Sequence, residues 1–252
     1  MVKKYTNPVR TDGFGAQLQN IIWTYIFCRM NNYEYYYQPF SNVEHNYDND
    51  INFVKNIEGF LNFKEQFNLS NNNIKGLSSL DTRTCYDYIE RNILSHNYEK
   101  YLNEFKEYFY KNKELNYFNN YYTNVAVHIR RLNKHDISTV GTNEDVDIAI
   151  RTNTADDYYL NVINNIKDKY YYKDLIFHIY SQGDLENFKI YENPDTILHI
   201  NENMLDTFKG MVFSDILVTS PSSFSYTAAL LNNGEIYYKP FWHPPMNNWI
   251  IC

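Results

Sequence analysis

Between residues 124 and 238 the chain alternates short apolar runs with amphipathic stretches, and few folds accept that order. Asn124 to Arg130, Leu175 to Tyr180, Thr196 to Ile200, Ile216 to Thr219 and Glu235 to Tyr238 read as strands. Ala155 to Lys169, Asp184 to Lys189, Leu205 to Phe213 and Ser223 to Leu231, lying between them, read as helices. Val125, Val127 and Ile129 alternate as strand residues do, whereas Tyr159, Val162, Ile163 and Ile166 share one helical face. Parallel strands need long crossovers, usually helices. The order therefore predicts an α/β fold with a mostly parallel sheet covered on both faces. In such sheets ligands bind beyond the carboxyl ends of the strands.

The first half is less periodic. Leu18, Ile21, Ile22, Tyr25 and Ile26 define a helix over Ala16 to Met30, preceded by Gly13 and Gly15 and closed by Asn31-Asn32. Tyr33 to Tyr37 reads as a short strand. Ser41 to Ser95 carries small apolar islands in asparagine-rich sequence, which predicts small helices and loops. A helix is expected from Tyr98 to Phe118, with Leu102, Phe105 and Phe109 on one face. The polar break at Asn119-Asn120 divides the chain into domains 1–120 and 121–252.

Composition removes several classes of function. A net charge of −7 disfavours general binding to nucleic acid or to anionic membranes. No apolar run reaches the roughly 18 residues of a membrane span, and Met1 to Arg10 has no signal-peptide core, so a soluble or cytoplasmic protein is expected. Cys28, Cys85 and Cys252 supply neither a disulfide framework nor a four-cysteine zinc site. The 26 tyrosines suit a carbohydrate-stacking surface. Their even spread along the chain fits AT-rich codon usage better, and tyrosine also fills cores where its hydroxyl finds a partner.

Three polar clusters fall where a ligand would bind. His128-Ile129-Arg130-Arg131 ends a strand; His128 and Arg130 share one face, and Arg131 points to the other. Arginine offers a fixed fork that matches phosphate, although a basic pair also ends strands on ordinary surfaces. Thr219-Ser220-Pro221-Ser222-Ser223-Phe224-Ser225 opens a helix. Its hydroxyls and free N–H groups suit an anion, and Ser222 or Ser223 also suits plain N-capping. Asp12-Gly13-Phe14-Gly15-Ala16-Gln17 precedes the first helix. It is neither a full dinucleotide fingerprint nor a Walker loop, and a simple helix-start turn explains it equally well.

The combination is more specific than its parts. Gly-Phe-Gly-x-Gln-Leu opening a helix, His-x-Arg-Arg ending a mid-chain strand and Ser-Ser-Phe-Ser starting a late helix occur in that order. This resembles the α1,2-, α1,6- and protein-O-fucosyltransferase superfamily, most closely its α1,2 branch; Ser41 to Phe118 is unmatched. Ser181-Gln182-Gly183-Asp184 stands where the family has Ser-Asp-Asp. Asp206 to Asp215 resembles the stretch leading to the donor loop.

The resemblance implies a GT-B-like fold of two facing Rossmann-like domains, the N-terminal one reduced, with GDP-fucose held mainly by the C-terminal one. By motif position, Arg130 would bind the β-phosphate and His128 would line the nucleotide site. Asp206 would accept from guanine, and Ser222, Ser223 and Phe224 would cradle the pyrophosphate. Gly13, Phe14 and Gly15 would form the donor-side glycine loop. The implied reaction is inverting, metal-independent transfer to a glycan hydroxyl, with no cofactor beyond the GDP-fucose donor. Asp145-Val146-Asp147 has the spacing of a metal-binding DxD motif but lies in a polar loop and reads as solvated.

Two departures matter. Ala16 replaces the asparagine of protein-O-fucosyltransferases, and Asn133 stands where many relatives carry an aspartate. The general base is therefore sought among Asp136, Glu144, Asp145 and Asp147, with Glu144 the candidate. Proton transfer to the departing phosphate would make a base unnecessary. A non-catalytic nucleotide- or glycan-binding relative, or a transferase for another GDP-sugar, remains the alternative.

Overall fold

The computed structural model describes residues 2–44, 46, 49–114, 117–118, 121–131 and 154–252. The chain divides into two compact units, Met1–Lys113 and Glu114–Cys252.

The first unit is built on a small parallel sheet of order β2-β1-β3, with β1 at Lys4–Thr6, β2 at Glu34–Tyr36 and β3 at Leu77–Ser79. Its central helix, α1 (Phe14–Met30), is buried around nearly its whole circumference, including Leu18, Ile22, Trp23 and Ile26. Helices α2 (Phe53–Leu61), α3 (Thr82–Asn92) and α4 (His96–Tyr110) complete the unit. The Asp81 carboxylate caps α3 by accepting from the Thr84 N–H at 2.8 Å, and Ser95 caps α4.

The last helix was expected to run to Phe118, but it ends at Tyr110. Lys111 leaves helical geometry at ψ 126°, and Asn112 takes a left-handed φ of 62°. Asparagine tolerates that conformation well. The Lys113 ammonium donates to the freed Phe109 carbonyl, satisfying an orphan acceptor of the helix end.

The second unit is a six-stranded, all-parallel sheet of order β6-β5-β4-β7-β8-β9. Its strands are β4 (Thr123–His128), β5 (Leu175–Ser181), β6 (Thr196–Ile200), β7 (Ile216–Val218), β8 (Glu235–Tyr238) and β9 (Ile250–Ile251). The helices are α5 (Asp156–Lys169), α6 (Met204–Phe213) and α7 (Ser223–Leu231), and a 3-10 turn spans Leu185–Tyr191. Taken in chain order from β4, this is the doubly wound order 3-2-1-4-5-6. Val125, Val127, Phe177 and Ile179 face α5, where Tyr159, Val162, Ile163 and Ile166 close the core.

Tyrosine proves to be a core residue here. Tyr37, Tyr98, Tyr159, Tyr180, Tyr191, Tyr226 and Tyr238 are almost fully buried. Several find the partner their hydroxyl requires: Tyr98 accepts from the Trp23 indole at 3.1 Å, and Tyr226 donates to the Pro244 carbonyl at 2.8 Å. Strand β4 stops at His128 rather than Arg130; its last ladder bond to β5 is from the Ile129 N–H to the Tyr180 carbonyl at 2.9 Å.

Candidate functional site

The chain leaves β4 toward one side of the sheet, through β5 and β6, and later returns to its other side at β7. In α/β sheets such a reversal, beyond the carboxyl ends of the two strands, here β4 and β7, is where a ligand crevice forms. The segments entering it are the ones that carry His128-Ile129-Arg130-Arg131 and Thr219 to Ser225. Val127 is in register with Val218, which sets His128 beside the first residues of the serine loop.

The two motifs meet directly. Ser220 Oγ lies 2.7 Å from His128 Nδ1, a contact between residues 92 positions apart. Both side chains are buried. Ser225 Oγ donates its one proton to the Ser220 carbonyl at 3.1 Å and accepts from the Ser220 N–H at 3.2 Å. The Ser220 hydroxyl also lies 3.5 Å from Ser225 Oγ, so one chain of hydrogen bonds links His128 Nδ1, Ser220 and Ser225. Burial pushes the His128 pKa down to about 3, and the nearby Arg130 charge adds to the effect. His128 is thus a neutral, buried imidazole held against the serine loop through Nδ1.

The serine loop is organised by its own helix. Ser222 is the N-cap of α7, its hydroxyl accepting from the Phe224 N–H at 3.2 Å. Ser223 is the first helical residue, so the positive end of the α7 dipole faces the crevice. The Phe224 ring packs edge-on to His128 at 5.7 Å and against Phe208 of α6 at 5.5 Å.

The paired arginines, just beyond the end of β4, part company. Arg130 stays near His128, its Nη1 donating to the Arg131 carbonyl at 3.1 Å. Arg131 crosses to the α5 side, forms an ion pair with Asp156 in the first turn of α5, and donates to the Thr154 carbonyl at 2.8 Å. It pins a helix start, while Arg130 belongs to the crevice.

Asp206 lies in the first turn of α6, exposed, with its carboxylate 2.9 Å from the Lys209 ammonium. An ion pair this exposed holds its partners weakly and leaves the carboxylate able to exchange. The Asp206 carbonyl accepts from the Tyr117 hydroxyl at 3.2 Å. Beside it at the ends of β5 and β6, Tyr180 stacks on His199 at 4.5 Å, and His199 Nδ1 lies 2.7 Å from the Glu202 carboxylate.

Gly13, Phe14 and Gly15 begin α1 in the first unit. Gly13 is the N-cap with φ −62° and ψ 149°, an extended conformation open to any residue. Phe14 is buried against Phe40, and Gln17 ties the loop down by donating to the Asp12 and Asn42 carbonyls. Glu144, Asp136, Asp145 and Asp147 lie outside the described residues.

Sequence reasoning passed over Ser220 and Ser225 individually, although both sit in the serine cluster it singled out. Their importance comes from partners that only the fold supplies. A shallow cavity lined by Tyr122, Lys167, Tyr170, Lys173 and Asp195 opens at the other, amino end of the sheet, away from these groups. Among the described residues, no group of three or more His, Cys, Asp or Glu is placed to hold a metal ion, and no helix is long and apolar enough to cross a membrane.

No protein-family model matches the chain, and no curated protein matches it. Among solved structures, NodZ α-1,6-fucosyltransferase co-crystallized with GDP is similar at a TM-score of 0.47 and 11% identity, covering 92% of this chain and 93% of that one. Fucosyltransferase NodZ from Bradyrhizobium gives 0.46 and 11%, covering 92% and 94%. A variant of Arabidopsis thaliana FUT1 in complex with GDP gives 0.42 and 11%, covering 96% and 72%. Likeness this distant assigns no residue a role, and the functional case rests on the crevice itself.

Proposed function

We propose that the chain is a GDP-fucose-dependent glycosyltransferase that moves fucose, with inversion and without a metal, to a glycan hydroxyl, in α1,2 linkage. A GT-B-like pairing of the two units belongs to the same proposal. The observation that carries it is the His128–Ser220 bond. It joins the His-x-Arg-Arg and Ser-Ser-Phe-Ser motifs at the strand-order reversal, where an α/β sheet receives a nucleotide.

The chemistry follows from the residues. Breaking the bond between sugar C1 and the β-phosphate oxygen leaves negative charge on the phosphate while the acceptor hydroxyl oxygen bonds to C1. Arg130 can meet that charge with its planar fork, the α7 N-terminus at Ser222 and Ser223 with backbone donors, and His128 with the N–H of its neutral ring. All three are held before the reaction, so little reorganisation is needed. The acceptor proton passes to Glu144 or to the departing phosphate. Asp206 would accept from the guanine edge, and Phe224 together with Gly13, Phe14 and Gly15 would complete the donor set.

Thermal denaturation with nucleotides tests this reading. Ligand at about 100 times its dissociation constant adds about 2.7 kcal/mol. GDP and GDP-fucose should raise the melting temperature by several degrees with a chelator present, and Asp206→Asn should remove the preference for guanine. Equal shifts with UDP or ADP would overturn the guanine assignment. Release of GDP from GDP-fucose separates a transferase from a nucleotide-binding relative.

A further inference from the structure

Of the three tryptophans, Trp23 and Trp249 are buried, and Trp242 is 45% exposed. Trp242 lies in the segment joining β8 to β9. It follows the carboxyl end of β8, and in a parallel sheet that is the edge holding the crevice. Strand β8 is the immediate neighbour of β7, so the two strand ends are only about 5 Å apart.

The indole is fixed unusually well for an exposed side chain. Its N–H donates to His243 Nε2 at 2.9 Å. His243 is buried, and burial pushes its pKa down to about 4, which suits an imidazole that must accept at Nε2. The segment beneath is anchored twice. The Tyr238 hydroxyl donates to the His243 carbonyl, and the Tyr226 hydroxyl of α7 donates to the Pro244 carbonyl. The Phe241 ring closes one side of the indole at 4.8 Å. Trp242 is thus tied to α7, the helix that begins at the serine loop.

With its one polar hydrogen engaged by His243, the exposed part of the indole offers ring surface. Such a surface attracts weakly positive C–H groups, and pyranose rings present several on one face. On the reading proposed above, guanine extends from the phosphates toward α6, so the sugar end extends the other way, toward β8. We infer that Trp242 is a preorganised stacking platform for a pyranose ring at the reacting end of the donor, either the transferred sugar or the first sugar of the acceptor. This rests on the proposed function for the direction of the donor, but not for the stacking itself.

Trp242 is the tryptophan open to solvent, so acrylamide quenching of fluorescence reports on it directly. The full chain would be titrated with GDP, with GDP-fucose, and with GDP plus methyl β-galactoside, methyl β-glucoside or N-acetylglucosamine. Protection by GDP-fucose beyond that by GDP identifies the transferred sugar. Protection by a glycoside in the presence of GDP identifies the acceptor. Trp242→Ala should weaken the responding sugar about fivefold to tenfold, the worth of one good aromatic contact. Trp242→Phe should recover most of that loss, and GDP binding should not change in either variant. Quenching unaltered by every sugar, while GDP still raises the melting temperature, overturns the platform and spares the proposed function. If GDP gives no shift, the proposed function fails, and the glycoside titrations repeated without nucleotide still decide the platform.

Discussion

Lowering the pH should unfold this protein well above the range in which its carboxylates protonate. His128, His178 and His243 are all buried, and their pKa values are pushed down to about 3, 4 and 4, chiefly by burial; Arg130 adds to the effect at His128, and His199 at His178. An unfolded histidine titrates near 6.5. Between that value and the folded one, the unfolded chain binds more protons, so stability falls as the pH falls. Each neutral histidine costs about 1.4 kcal/mol per pH unit in this window, and the three together roughly 4 kcal/mol per unit. From pH 6.5 to 4.5 the loss is on the order of 8 kcal/mol, comparable with the whole stability of an ordinary domain. Glu90, whose carboxyl is raised by burial, works in the opposite sense but is a single, partly exposed group. Urea denaturation followed by circular dichroism at half-unit steps from pH 7 to 4.5 measures the slope. His178→Gln should reduce it by about a third, whatever it does to stability at neutral pH. A slope below about 1.4 kcal/mol per unit would refute the reasoning, because no more than one histidine could then be held neutral.

Arg130→Lys should lower kcat by roughly 10²–10³, nearly as much as Arg130→Ala, since lysine keeps the charge but not the fork; steady-state GDP release checks this, and a mild effect would contradict it. Arg131→Lys and Asp156→Asn should instead lower the melting temperature with little change in activity per folded molecule, and their effects should not add, because they break one ion pair. Glu144→Gln should cut transfer by roughly 10²–10⁴ and leave GDP binding intact; if Asp136→Asn, Asp145→Asn and Asp147→Asn also keep near-normal transfer alongside it, the base lies elsewhere. Gly210→Ala should destabilise by about 1–3 kcal/mol in chemical denaturation, because the new methyl would sit 2.0 Å from the Tyr180 hydroxyl unless the ring moves.

Local pattern was enough for the second unit's elements. Ser223–Leu231 and Glu235–Tyr238 occur where periodicity puts them, and the helix of Tyr159, Val162, Ile163 and Ile166 differs by one residue at its start. These are signals carried by neighbours in the chain: side-chain alternation, a serine cap and an asparagine stop. Strand alternation also predicted that Arg130 and Arg131 separate; they do, but beyond the end of β4, where the contacts of Arg131 with Asp156 and Thr154 hold it apart. Local pattern missed β1, β3 and β9, each two or three residues long and without the apolar run that marks the equally short β7.

What tertiary structure alone decided is which segments meet. Any of several strand orders fits the helix–strand succession, and only the order β6-β5-β4-β7-β8-β9 sets β4 beside β7. That adjacency brings Ser220 to His128 across 92 residues and buries both side chains. Tertiary packing likewise buries His243 beside the half-exposed Trp242, which donates to it. Hydrogen-bond roles and burial depend on partners distant in sequence, and their energies arise only once the sheet has closed.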